Sequence, residues 1–193
     1  MKICILKETD ENEKRVALVP DVAKKLINDG FEIFIESGAG KQSDFSDEDY
    51  KKHGVQTGDA DTVIPNADII FSVKMPDIES IKKMKAEACL IGLLNPYDNH
   101  DQLKTLSENN VNAFSMELVP RSPRAQSMDV LSSQSNLAGY KAIVDSSSMF
   151  NRAMPMMMTA AGTIAPAKIF IMGVGVAGLQ AIATAKRLGA VVS

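Results

Sequence analysis

The stretch KIFIMGVGVAGLQAIATAKRLGAVV, residues 168–192, constrains the fold more than any other part of the chain. Residues 168–172 read as a buried strand. They lead into Gly173, Gly175 and Gly178, which have the G-x-G-x-x-G spacing. Leu179, Ile182 and Ala183 then mark the apolar face of a helix. Lys186 and Arg187 in its last turn suit the negative end of the helix dipole. Gly189 is placed to end the helix, and residues 190–192 open a second strand.

Each glycine has a physical reason. The first permits the sharp turn from strand to helix, the second lets the backbone approach a pyrophosphate, and the third lets helix and strand pack closely. The pyrophosphate would rest on free N–H groups at the helix N-terminus. The spacing alone is weak, but a strand before it, a helix after it and a second strand on time are the context that a dinucleotide site requires. The alternative is the same tight turn with no ligand. The acidic residue that grips the adenosine ribose is expected about 20 residues beyond the motif. The chain stops at Ser193, so a preference for NAD over NADP is not written in the motif.

Upstream, short apolar runs alternate with helical patterns. Strands are expected at 2–7, 31–36, 68–73, 88–93 and 112–117, and helices at 20–28, 47–53, 78–84 and 101–109. Strands apolar on both faces fit a parallel sheet covered by helices. The expected fold is α/β: a doubly wound parallel-sheet domain over 1–126, a long connecting helix over 127–150, and from 151–193 the first part of a Rossmann domain. In the long helix Val130, Leu137 and Val144 recur every seven residues, a stripe expected to bury one face. Ser127 or Asp129 would cap its N-terminus. Met154 to Met158 fall in the loop that follows, where methionine fills irregular gaps.

Composition narrows the function. The net charge of -3 opposes a basic face for nucleic acid. The N-terminal apolar run ends at once in Lys7 and Glu8, too short for a signal sequence. The apolar stretch 160–185 is broken by Lys168, Pro166 and glycines, against a spanning helix. Cys4 and Cys89, both in apolar runs, read as reduced buried thiols. No metal site is read.

Three blocks converge on one family: KETDENEKRVALVP (7–20), ELVPRSPRAQSMDVLSSQSNLAGYKAI (117–143), and PMMMTAAGTIAPAK before the glycine motif. Together they resemble the NAD(H)-binding component, the first domain of the alpha subunit, of proton-translocating NAD(P) transhydrogenase. The first block is also similar to alanine dehydrogenase. The transhydrogenase resemblance implies two α/β subdomains that bind NAD(H) and work as a homodimer. It further implies a membrane component and a partner component that binds NADP(H). Hydride would pass between NAD(H) and NADP(H), coupled to proton translocation. The implied location is cytoplasmic, at the inner face of the bacterial inner membrane through the partner subunits.

The same resemblance places Arg121, Gln126 and Asp129 at the nicotinamide as the residues serving catalysis, with Ser132 as a further contact. It adds Ser122, Pro123, Ser127 and Met128 around that cluster, and Val174 and Val176 within the glycine turn. A guanidinium, an amide and a carboxylate can fix a carboxamide and a ribose, since the amide both donates and accepts. The alternative for Arg121 and Asp129 is a solvated ion pair in a loop. Alanine dehydrogenase chemistry instead needs a proton acceptor, usually a histidine. The only histidines, His53 and His100, sit in polar surroundings, and LLNPYDN puts Asn95 where the substrate histidine is expected. Arg15 and Lys74 match that family's carboxylate-binding positions. Alternative readings are an alanine-dehydrogenase-like fragment, or a truncated, non-catalytic fragment that needs a complementing polypeptide. By itself the chain is expected to be inactive.

Overall fold

A computed structural model describes residues 1–193, which form two compact units, Met1–Pro120 and Arg121–Ser193. The division falls at the start of the polar, proline-bearing segment, ahead of Gln126.

The first unit is built on a six-stranded parallel sheet. Its elements are β1 (Lys2–Ile5), α1 (Pro20–Asn28), β2 (Glu32–Glu36), α2 (Asp47–Lys51), β3 (Gln56–Gly58), α3 (Ala60–Val63), β4 (Ile69–Lys74), α4 (Ile78–Lys82), β5 (Cys89–Leu93), α5 (His100–Glu108) and β6 (Asn112–Ser115). The spatial order is β3-β2-β1-β4-β5-β6, so the winding reverses between β1 and β4. In such sheets ligands sit outside the carboxyl ends of the strands at this reversal.

The strands are apolar throughout because both faces are covered. Along β1, Cys4 and the following Leu6 enter one core with Ile64, Ile70, Ile81, Leu90 and Leu106. Ile3 and Ile5 point the other way, into a second core with Leu18, Ile33, Ile35 and Tyr50. The Tyr50 hydroxyl, fully buried, donates to the Leu18 carbonyl at 2.8 Å. Burial pushes the Cys4 thiol up to about 12. Both cysteines are free; Cys4 is buried and Cys89 half-buried.

The elements that sequence reading misses are short. QTG and ADTV, which become β3 and α3, carry too few apolar residues to show a period. The segment expected as a strand over 112–117 is strand only to Ser115, then a 3-10 turn over Met116–Leu118.

The second unit opens with a 3-10 helix, Pro123–Met128. It continues with α6 (Val130–Met149), the hairpin β7 (Met157–Thr159) and β8 (Gly162–Ile164), then β9 (Lys168–Ile169), α7 (Val176–Arg187) and β10 (Val191–Val192). Strands β9 and β10 are parallel neighbours, Lys168 facing Val191, so β9–α7–β10 is a βαβ unit.

Three expectations are corrected in this unit. The face that α6 buries is not the seven-residue stripe, since Leu137 is 58% exposed, while Gly139 and Ile143 are buried. A Cβ on Gly139 would lie 2.1 Å from the Ala177 carbonyl oxygen. The missing side chain lets the α6 backbone touch α7, and that close approach chooses the buried face. Helix α6 is therefore packed within the second unit rather than standing apart as a connector. The strand expected over 168–172 is paired only at Lys168–Ile169. Its side chains Phe170 and Met172 are exposed, because β10 pairs with one edge and α7 covers one face. On α7 the buried residues are Ala181, Thr184 and Ala185, while Leu179 is exposed. Of the methionine run, Met154 enters the core with Ile143 and Ala185, whereas Met156, Met157 and Met158 are exposed on the hairpin.

Candidate functional site

The glycine turn has the form needed to hold an anion. Gly173 has φ +99, a left-handed conformation that favours glycine. A Cβ on Gly178 would lie 2.1 Å from the Gly173 carbonyl oxygen, so only glycine lets the helix start this close to the strand. Gly175 is the opposite case: a Cβ there would meet nothing within 4 Å, and the space before the helix is open. Gly175 is the N-cap of α7, without a side-chain cap and without an acidic residue in the first turn. The first bond closing the helix runs from the Leu179 N–H to the Gly175 carbonyl. The N–H groups of Val176, Ala177 and Gly178 are left without protein acceptors, and the dipole adds positive potential there. These residues fit the pyrophosphate of a dinucleotide.

The segment before α6 forms the second part of the site. Asp129 caps α6: its carboxylate accepts from the Ser132 N–H at 2.9 Å and from the Ser132 hydroxyl at 2.6 Å. These bonds, and the nearby Arg121 charge, hold the Asp129 carboxyl below the usual carboxylate range. Of the two candidate caps, Asp129 takes the position. Arg121, Ser122, Pro123, Gln126 and Asp129 line one cavity of about 280 Å³. Another, of about 360 Å³, has Arg121, Ser132 and Ser135 on one side and Met172, Gly173, Gly175, Val176 and Gly178 on the other. Arg121 borders both cavities. The structure therefore brings the arginine, Ser132 and the glycine turn to one pocket, with Gln126 and Asp129 in the adjoining one. Ser127, Met128 and Val174 are exposed and line neither. The sequence alone does not single out Ser135 and Met172; Ser135 lies one helical turn beyond Ser132, a spacing that could have flagged it.

The first unit has its own cleft at the winding reversal. It encloses about 460 Å³ lined by Glu8, Thr9, Asp10, Arg15, Lys74, Met75, Leu93, Asn95 and Asn99. The Glu8 carboxylate ties β1 to β4, accepting from the N–H groups of Val73 at 2.6 Å and Lys74 at 3.1 Å. Burial raises its pKa. Both cations of the cleft already have carboxylate partners. Arg15 donates twice to Glu13 at 2.7 Å, and Lys74 lies 2.6 Å from Asp10 and 3.8 Å from Glu13. Asn95, at φ +42, donates through its amide to Asp98 at 2.8 Å. No imidazole lines this cleft. No helix of the chain is long and apolar enough to cross a membrane.

Comparison with known proteins fits this geometry. The family model described as alanine dehydrogenase/PNT, N-terminal domain, matches residues 4–138, and its C-terminal counterpart matches 142–193. The first of the separate polypeptides that make up the NAD(P) transhydrogenase alpha subunit of Rickettsia prowazekii is 46% identical over 198 residues, covering 100% of this chain and 52% of that protein. A transhydrogenase crystal structure from Sinorhizobium meliloti superposes with a TM-score of 0.95 at 49% identity, covering 100% of this chain and 57% of that one. An L-alanine dehydrogenase structure is more distant, with a TM-score of 0.81 at 26% identity, over 98% of this chain and 53% of its own. The chain spans about half the length of these relatives.

Proposed function

Since the chain belongs to the alanine dehydrogenase/PNT family, we propose that it acts in the NAD(H)-binding component of a proton-translocating NAD(P) transhydrogenase. Arg121 carries the reading, because it borders both the Gln126–Asp129 cavity and the glycine turn. A dinucleotide lying across the two places its pyrophosphate on the N–H groups of α7 and its nicotinamide end beside Arg121, Gln126 and Asp129. NAD(H) supplies the hydride chemistry when bound. The residues of the chain orient it: the Gln126 amide, which has no protein partner, meets the carboxamide, and the Arg121 guanidinium and Asp129 carboxylate meet ribose hydroxyls. Ser127, Met128 and Val174 stand at the margin of this arrangement.

Hydride transfer between two nicotinamide rings needs closeness and exclusion of water, not a proton acceptor. Oxidative deamination needs an acceptor. The first-unit cleft offers Asn95 in place of an imidazole, and its cations are engaged by Asp10 and Glu13, which favours transhydrogenase over alanine dehydrogenase. In this reading NADP(H) is held by a partner component, the protein works as a homodimer, and a membrane component moves the protons. Its place is then at the cytoplasmic face of the bacterial inner membrane, through those partners.

The test adds the protein to the membrane and NADP(H)-binding components of a transhydrogenase and follows reduction of an NAD analogue by NADPH. Transfer that depends on this chain is expected, with no NADH oxidation by pyruvate and ammonia. Absence of transfer, or pyruvate-dependent oxidation without partners, overturns the proposal.

A further inference from the structure

Helix α6 carries Ser132, Ser133 and Ser135 in its first two turns and Ser146, Ser147 and Ser148 in its last. Several are spent locally. The Ser132 hydroxyl donates to Asp129. Those of Ser133 and Ser146 donate to carbonyls four residues back, at 3.2 Å and 2.6 Å, the usual fate of serine inside a helix. Ser135 differs. Its hydroxyl makes no hydrogen bond within the protein, and the residue is half-buried against the pocket that holds Gly173, Gly175 and Val176.

Its position follows from the helix contact. Ser132, Ser135 and Gly139 follow at spacings of three and four, so they share one face of α6. Gly139 presses that face onto the backbone of Ala177 in the first turn of α7. Ser135 is one turn nearer the start of α6, about 6 Å back along the axis. It therefore stands over the start of α7, where three N–H groups lack acceptors. A free hydroxyl there can donate to the oxygen of an anion that those groups bind, whereas Ser132 is already committed to Asp129.

We propose that Ser135 is a binding residue for the dinucleotide pyrophosphate, its hydroxyl closing the anion site from the α6 side opposite the α7 backbone. This rests on the dinucleotide reading of the glycine turn. Because the hydroxyl donates to phosphate and not to adenine or ribose, its contribution should be confined to ligands that carry the pyrophosphate.

The experiment titrates ¹⁵N-labelled full chain with ADP-ribose and, separately, adenosine, using unsubstituted protein, Ser135→Ala, Ser135→Thr and Ser133→Ala. With unsubstituted protein, ADP-ribose is expected to shift the Gly175 and Val176 amide signals. A lost hydrogen bond to a charged group is worth about tenfold in affinity. Ser135→Ala should weaken ADP-ribose by about that factor and leave adenosine unchanged. Ser135→Thr should restore most of the loss, and Ser133→Ala should have no effect. ADP-ribose that leaves Gly175 and Val176 unshifted in the unsubstituted protein overturns the dinucleotide reading and this inference with it. Shifts at those amides with equal affinity in Ser135→Ala, or an equal loss for adenosine, overturn this inference alone.

Discussion

Replacing Gly139 by alanine tests how the second unit is assembled, because the sign of the effect is opposite to the ordinary one. Inside a helix Gly→Ala stabilises by about 1 kcal/mol, since glycine gives up more backbone freedom on folding. At Gly139 the new methyl carbon would lie 2.1 Å from the Ala177 carbonyl oxygen, while ordinary van der Waals contact begins at 3.4 Å. The obstacle is backbone, not the end of a flexible side chain, so α6 and α7 must separate by about 1.3 Å, and overpacking of this kind costs about 1–3 kcal/mol. The net expectation is a loss of up to about 2 kcal/mol. Two units need not unfold together, so the assay is urea unfolding followed at the NMR signals of Ala181 and Ala185, buried on α7. Their midpoint should fall in Gly139→Ala, and ADP-ribose affinity should fall with it as the α6 face withdraws from the glycine turn. A higher midpoint, the response of an unconstrained helical glycine, would refute the packing argument.

Further outcomes follow from the charges and the turn. The Asp129 carboxyl has a lowered folded pKa, so the stability it lends α6 is present above the unfolded carboxylate pKa and is lost as pH falls through the folded value. A ¹³C titration should place Asp129 below the usual range and show the Ser132 amide losing exchange protection as Asp129 protonates; an Asp129 titrating normally would contradict this. At about pH 8, Cys4, with its thiol raised to about 12 and its side chain buried, should resist a thiol reagent in the folded protein; mass spectrometry finding Cys4 labelled as fast as in urea would count against the core described. Asn95→His alone should not confer alanine oxidation, because Lys74 and Arg15 remain paired with Asp10 and Glu13; measurable NADH production from alanine would sink that account.

How far the fold can be read in the sequence depends on what each segment buries. Runs such as ICIL and CLIGL are apolar on both faces, so a covered parallel strand is the only economical reading, and β1 and β5 lie there. Gly173, Gly175 and Gly178 announce their turn because each has a backbone reason to lack a side chain. Helix α6 misleads for the same physical cause in reverse. Its packing face is defined by Gly139, which no hydrophobic period records, while Leu137, which the period selects, is exposed. For β9 and α7 the apolar residues announce burial that the two-stranded sheet does not provide, and Phe170, Met172 and Leu179 stay exposed. The pairing of Arg121 with the glycine turn is legible only through family resemblance, since nothing local to RSPRAQSMD indicates a pocket that contains residues some fifty positions later. Asp10 and Glu13 as partners of Lys74 and Arg15 depend on β1 and β4 being neighbours, which the sequence order does not show.

The most direct test of the central claim is a map of where NADH binds, obtained by titrating the ¹⁵N-labelled chain and following its assigned amides. The account predicts shifts concentrated at Gly173 to Gly178, at Arg121 and from Gln126 to Ser132, with the cleft around Glu8, Lys74 and Asn95 unaffected. Shifts confined to that first-unit cleft, or none at the glycine turn, would contradict it.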